Sequence, residues 1–196
     1  MGEQHKPGPQ YGTAADSGTA QYKAGAEAPA RTTLDKGIEG ERALNAWFAD
    51  NALPYVGICQ APATFSPIFK GNVKRPDFLL LIEGIGLLAV DAKNHKCSKG
   101  FTLELETELK KAVAFERLFR MPLWYAFSDC DDGMEGWYWI SALKAVEAGL
   151  KRTSTSKGQD FLFIALEHFE HIVVAEDLAK LYTHRSAGYG ALREIG

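Results

Sequence analysis

The sequence predicts an α/β domain with a mixed central β-sheet flanked by helices, and three observations carry that expectation. Two apolar runs, Phe78 to Ile82 and Leu87 to Val90, stand on either side of a glycine-rich turn and read as an antiparallel hairpin. Successive residues of both runs are apolar, as in central strands covered on each face. Segments of helical period precede and follow the hairpin, one carrying Leu44, Trp47 and Phe48 and the other Leu105, Leu109 and Ala112.

Residues 1–33 contain no Leu, Ile, Val, Phe or Trp and bury too little surface to offset the entropy of ordering, so they read as a tail or linker. The folded domain is expected over 34–196. Lys36 to Asn51 reads as a first helix whose apolar stripe faces the sheet, and Glu41 projects from that same stripe toward the interior. A strand is expected at Tyr55 to Cys59 and an irregular edge at Thr64 to Phe69. After the hairpin, Thr102 to Arg120 reads as a helix closed by Pro122. Met121 to Ser128 and Gly136 to Ser141 read as strands joined by the acidic turn Asp129 to Gly136. A helix at 142–150, a polar loop carrying Lys151, Arg152 and Lys157, a strand at 161–166 and a helix at 176–182 complete the chain.

With 196 residues, of which 46% are hydrophobic and 24% charged, the chain has the composition of a globular domain with a core. No stretch approaches the about 18 apolar residues of a membrane span. A net charge of −3 gives no global attraction to a polyanion, so contact with nucleic acid would need a local patch. Cys59, Cys97 and Cys130 are odd in number and widely spaced, which suggests neither a disulfide framework nor a zinc site. With no apolar core of a secretory signal at the N-terminus, a cytoplasmic location is expected.

The chemistry gathers at the end of the hairpin. Asp91 and Lys93 are two apart on a strand and share a face. A three-residue loop, Glu83-Gly84-Ile85, pairs Ile82 with Gly86 and sets Asp77 opposite Asp91. A two-residue turn at Gly84-Ile85 pairs Asp77 with Ala92 instead and sends the carboxylates to opposite faces. In the first register two carboxylates converge at a strand end beside a lysine, with Glu41 reaching in from the helix, which suits a hard divalent cation. The same strand end is read as facing solvent. Lys70, Lys74, Arg75, Lys93, Lys96 and Lys99 outnumber Asp77, Glu83 and Asp91 nearby, and His95 follows Lys93 on the same face, making the local basic patch that phosphates need.

A helical Glu41, then Pro76-Asp77 opening a strand, then Asp91-Ala92-Lys93 ending the next, with a helix after it, resembles the PD-(D/E)xK phosphodiesterase superfamily. The Gly-Ile-Glu-Gly-Glu-Arg opening of the first helix looks closest to its Holliday-junction-resolvase-like and nuclease-related branches. The resemblance covers roughly 34–141 and implies a restriction-endonuclease-like core that hydrolyses nucleic acid, DNA above all. It implies Mg²⁺ or Mn²⁺ held by Asp77, Asp91 and the carbonyl of Ala92, with Glu41 as a further ligand. Lys93 would orient and polarise the attacking water, while Lys74, Arg75, His95 and Lys96 would contact nucleic acid. A homodimer would allow both strands of a duplex to be cut. Two competing readings keep the fold: a non-catalytic nucleic-acid- or protein-binding module, and a toxin or effector nuclease tethered by its tail.

Three other motifs invite chemistry and are read as structural. Glu167, His168, Glu170 and His171 match neither common zinc-helix pattern. Asp129 to Gly133 lacks the register of a calcium loop. The aromatics Trp124, Tyr125, Trp137, Tyr138 and Trp139 read as sheet core rather than as a base-stacking platform.

Overall fold

A computed structural model describes residues 32–61, 71–130, 133, 135–156 and 158–181. The first helix, α1 (Thr33–Asp50), begins three residues before the expected start. The Thr32 hydroxyl accepts from the Asp35 N–H at 3.2 Å while the Asp35 carboxylate accepts from the Thr32 N–H at 3.0 Å. That reciprocal cap satisfies two N–H groups the helix cannot reach itself. Leu44 and Phe48 bury one face completely, worth about 1.5–3 kcal/mol each.

Six strands build the main sheet: β1 (Tyr55–Gly57), β2 (Phe78–Ile82), β3 (Gly86–Asn94), β5 (Leu123–Ser128), β6 (Trp137–Ser141) and β9 (Glu170–Ile172), adjacent in that order. β3 and β5 run parallel and every other neighbouring pair is antiparallel, so the sheet is mixed. A parallel pair needs a long crossover. Here it consists of β4 (Gly100–Glu104), a π-helical turn (Leu105–Leu109) and α2 (Lys110–Phe119). The short helix α3 (Ala142–Ala148) follows β6, its N-terminus capped by the Ser141 hydroxyl.

Alternate residues of the central strands feed two cores. Phe78, Leu80, Leu88, Val90, Trp124 and Trp139 pack toward Leu44 and Phe48 of α1. Ala89, Tyr125, Phe127 and Ile140 pack on the other face with Leu109, Ala112 and Phe115 of the crossover. Trp124, Tyr125, Trp137 and Trp139 are all buried, which removes them as a stacking platform, and Tyr138 lies flat against His171 at 4.4 Å.

Three sequence expectations are corrected. Residues 102–104 are strand rather than helix, because Phe101 and Leu103 point inward, Thr102 and Glu104 outward, and β4 pairs with β8 (Asp160–Ala165). Lys151 and Arg152 lie in an edge strand, β7 (Leu150–Thr153), whose exposed charges discourage further pairing. β4, β8 and β7 thus form a second, three-stranded antiparallel sheet that the sequence reading lacked, as it lacked β9. Where a helix is expected from 176, Ala175–Leu178 is a 3₁₀ turn, and the helical conformation begins at 179 and holds to 181, the last described residue; Tyr182, Lys70, Lys157 and the expected edge at 64–69 lie outside the described residues. Among the described residues no helix is long and apolar enough to cross a membrane.

Gly40 fixes how α1 sits on the sheet. A Cβ there would stand 2.9 Å from the Asn94 Cβ and 3.2 Å from the Asn94 backbone N. Only a glycine lets the helix approach the end of β3 this closely, and Glu41 follows it directly. Gly40→Ala gains about 1 kcal/mol of helix propensity, yet the overpacking costs typically 1–3 kcal/mol. Urea denaturation is expected to show net loss of stability; a more stable variant would show that the close approach imposes no constraint.

Candidate active site

The position of each acidic group follows from one turn. Ile82 pairs with Gly86, which closes a three-residue loop through Glu83, Gly84 and Ile85. The Ile85 N–H donates to the Ile82 carbonyl at 3.0 Å, and Gly84 and Gly86 take φ of 78° and 104°, the region glycine enters without strain. This odd register sets Phe78 against Val90, so the next position sets Asp77 against Asp91 on a shared face. β2 begins only at Phe78, whereas β3 runs on to Asn94, and the last residues of β3 have no β2 partner. Asp77 completes the edge: its Oδ2 accepts the Ala92 N–H at 2.8 Å. A strand residue's N–H and C=O point to the same side, so the Ala92 carbonyl also faces that edge.

Asp91 lies at a strand end, as expected, but it does not face solvent. It is 2% exposed, and the Lys93 side chain only 13%. The crossover folds over this face, a packing invisible in the local sequence. Lys74 Nζ stands 3.0 Å from Asp91 Oδ1, and Lys93 Nζ stands 2.8 Å from Asp91 Oδ2. Glu108, on the π-helical turn, brings its Oε2 to 2.7 Å from Lys74 and 2.8 Å from Lys93. Two carboxylates and two ammonium groups alternate in a closed ring.

Burial pushes the Asp91 carboxyl up, but the Lys93 and Lys74 ammonium groups outweigh it and hold the carboxyl below its ordinary range. For Lys93, burial works downward and the carboxylates of Asp91 and Glu108 prevail, so it stays a charged ammonium. Asp77 is pushed to about 8 by burial and by the Asp91 carboxylate, despite its bond from Ala92. Glu41, part-buried on α1, shifts upward by burial and by Asp91. His95 shifts downward by burial and by Lys93.

These groups line one cavity of about 680 Å³, which also takes in Lys36, Gln60, Arg75, His95 and Lys96. Glu41, Asp77, Asp91, Lys93 and Ala92 are all brought to it. Lys74 lies there too, but engaged by two carboxylates rather than displayed to a ligand. Arg75 donates through Nε to the Gln60 Oε1 at 2.8 Å, through Nη1 to the Ala61 carbonyl at 3.2 Å and through Nη2 to the Gln60 carbonyl. Gln60 in turn donates to the Pro76 carbonyl at 3.0 Å and toward Asp77 Oδ1 at 3.4 Å, steadying the carboxylate. His95 packs its ring edge-on to Phe127 at 5.6 Å, and Lys96 is exposed at the rim. Glu108 and Gln60 were missed by sequence reasoning; Glu108 stands 34 and 15 residues from the lysines it binds, with no local pattern to mark it.

Two motifs outside the cavity have structural partners. Asp129 is buried and accepts the Cys97 N–H at 2.7 Å. The His171 ring meets the Glu135 carbonyl at 2.8 Å while it stacks on Tyr138.

The donor set of Glu41, Asp77, Asp91 and the Ala92 carbonyl is all oxygen, the chemistry of a hard divalent cation. Both Asp91 oxygens are engaged by ammonium groups, Oδ1 by Lys74 at 3.0 Å and Oδ2 by Lys93 at 2.8 Å, and Oδ2 is buried with no other partner. As the side chains stand, no group of three or more acidic, His or Cys ligands meets at metal-binding separation among the described residues. A cation therefore fits by chemistry, provided that an ammonium yields Asp91 to it. No family model, curated protein or solved structure matches the chain.

Asp77 and Asp91 impose opposite pH dependences. Native Asp77 keeps its proton up to about pH 8, whereas an unfolded aspartate loses it near 3.8. Between those values the native state binds more protons, and stability falls as pH rises. Asp91, held low, contributes stability above its unfolded value that is lost as pH falls through its folded value. In EDTA, urea unfolding of the wild type is expected to show stability declining from pH 5 to 8. Asp77→Asn, which still accepts from Ala92, should flatten that decline; an unaltered slope would remove Asp77 as its source.

Proposed function

We propose that the protein is a divalent-metal-dependent nuclease on a restriction-endonuclease-like core, hydrolysing phosphodiester bonds of nucleic acid with DNA as substrate. The observation that carries this reading is the odd hairpin register, which sets Asp77 opposite Asp91 with Lys93 beside them and Glu41 on the same cavity. Asp77, Asp91 and the Ala92 carbonyl would hold Mg²⁺ or Mn²⁺, with Glu41 as an additional ligand. When bound, such an ion neutralises phosphate charge and supplies a hydroxide-like nucleophile near neutral pH.

The chain's own residues do the rest. Lys93 is charged and held by two carboxylates, so it serves as a fixed positive charge that orients water and stabilises the phosphorane rather than as a proton acceptor. Glu41, part-exposed on α1, would add an oxygen donor from the helix side of the cavity. Lys96, His95 and Arg75 line the same cavity and would supply contacts to flanking phosphates. Pairing of two chains would bring two such cavities to opposite strands of a duplex.

One observation favours a second reading. The ring of Asp91, Lys74, Glu108 and Lys93 is electrically balanced by itself, which suits a non-catalytic module that binds nucleic acid or protein.

The full chain should be incubated with supercoiled plasmid, single-stranded DNA, a four-way junction and RNA, in Mg²⁺, Mn²⁺ or EDTA. Cleavage of DNA is expected only with metal, reduced at least about 100-fold in Lys93→Ala, with thermal melts confirming that the variant is folded. Absence of cleavage on every substrate, with DNA binding indifferent to EDTA, would assign the protein to the binding module.

A further inference from the structure

Lys74 holds one of the two Asp91 oxygens, and Lys93 holds the other. The Lys74 Nζ lies 3.0 Å from Asp91 Oδ1 and 2.7 Å from Glu108 Oε2, with 13% of the side chain exposed. Unlike Lys93, it does not belong to the strand that carries Asp91: it stands three residues before Asp77, where its backbone N–H donates to the Lys111 carbonyl at 2.9 Å. An ammonium so placed can leave Asp91 without unravelling the sheet. Glu108 offers it somewhere to go, because one carboxylate oxygen already touches both lysines.

Resting on the metal-dependent reading above, we propose that Lys74 is a built-in stand-in for the cation. Its ammonium neutralises Asp91 until a divalent ion arrives and displaces it onto Glu108. With Lys93 on Oδ2, the arriving ion and Lys74 compete for Asp91 Oδ1, and a divalent charge beside two ammonium groups adds repulsion that favours release of the mobile one. Lys74 therefore acts as a competitor that sets the cation concentration at which the site fills, and Glu108 is the positioning residue that receives it. The physical consequence is an apparent affinity lowered by the fraction of molecules in which Asp91 is held.

Calorimetric titration of Mn²⁺ into the full chain tests this without reference to cleavage. Lys74→Gln is expected to bind at least about tenfold more tightly than wild type. Lys96→Gln, which removes a rim charge that is not on Asp91, should change affinity by less than about threefold at physiological salt. In EDTA, Lys74→Gln should melt below wild type, with Mn²⁺ raising its melting temperature by more. Glu108→Gln, which leaves Lys74 no alternative carboxylate, should bind Mn²⁺ more weakly.

Equal or weaker binding by a folded Lys74→Gln, with wild type binding normally, would overturn the stand-in role alone. Should Lys74→Gln fail to fold, Lys74→Met at the same position and Glu108→Gln carry the comparison, and unchanged affinity in both would overturn the proposal. Binding by the variant where wild type binds none would support it. If neither protein takes up Mn²⁺, the metal-dependent reading falls and the stand-in with it.

Discussion

Asp91 is a carboxylate removed from water near the end of a central strand, and its surroundings are organised by the need to compensate it. Burying such an ion carries an effective penalty of several kcal/mol, recovered only with good partners. Lys93 comes from the same strand and Lys74 from the segment before β2, so each carboxylate oxygen has an ammonium within 3.0 Å. Two buried ammonium groups would themselves exceed one carboxylate, and Glu108 restores the balance. The π-helical turn places Glu108 at that point; such turns often occur at functional sites. Asp77 has no ammonium at ion-pair distance among the described residues, and burial first and the Asp91 carboxylate second push its carboxyl up.

The backbone prepares this charge cluster before any side chain contributes. The three-residue turn brings the two aspartates to one face, and β3 outlasts β2, so an acid can replace a missing strand at Ala92. The glycine at position 40 brings α1 against the end of β3 with Glu41 immediately after it. Asn94 locks the other side, accepting the Cys130 N–H at 3.0 Å while its amide reaches toward Glu39 on α1. Helix, strand end and the loop after β5 are thereby tied around one cavity.

What was legible in the sequence was local. The hairpin could be read because its two apolar runs and glycine-rich turn lie within about fifteen residues, and its register reduced to a choice between two loop lengths. The inward cast of Glu41 followed from its spacing to Leu44 and Phe48. Residues 102–104 misled because Leu103 and Leu105 fit either period, and only pairing with β8, some sixty residues later, decides for strand. Lys151 and Arg152 look like loop residues because an edge strand carries charges on purpose. Lys74 was read as a phosphate contact and Glu108 not at all, because a basic run states charge but not which acids the fold will bring to it. Burial of Asp91 was missed for the same reason: the covering element is the crossover, and its path is set by the second sheet.

The location of the cavity has a cause independent of these residues. β3 and β5 are the parallel pair of the sheet, and both end beside it, at Asn94 and Ser128. In open α/β sheets the crevice beyond the carboxyl ends of the parallel strands is where ligands bind. Here the chain leaves β3 for β4 and the second sheet, while β5 leads to its antiparallel neighbour β6 in the same sheet. The crevice is bounded on one face by α1 and on the other by the π-helical turn. A low-dielectric wall of Tyr125 and Phe127 strengthens the field of the charges beside it, and the Lys93 ammonium lies 5.9 Å from the Tyr125 ring centre. Lys93 cannot turn away from Asp91 and Glu108 without leaving two carboxylates poorly compensated. Its charge is thus directed in advance, so an anion reaching the cavity would meet it with little reorganisation.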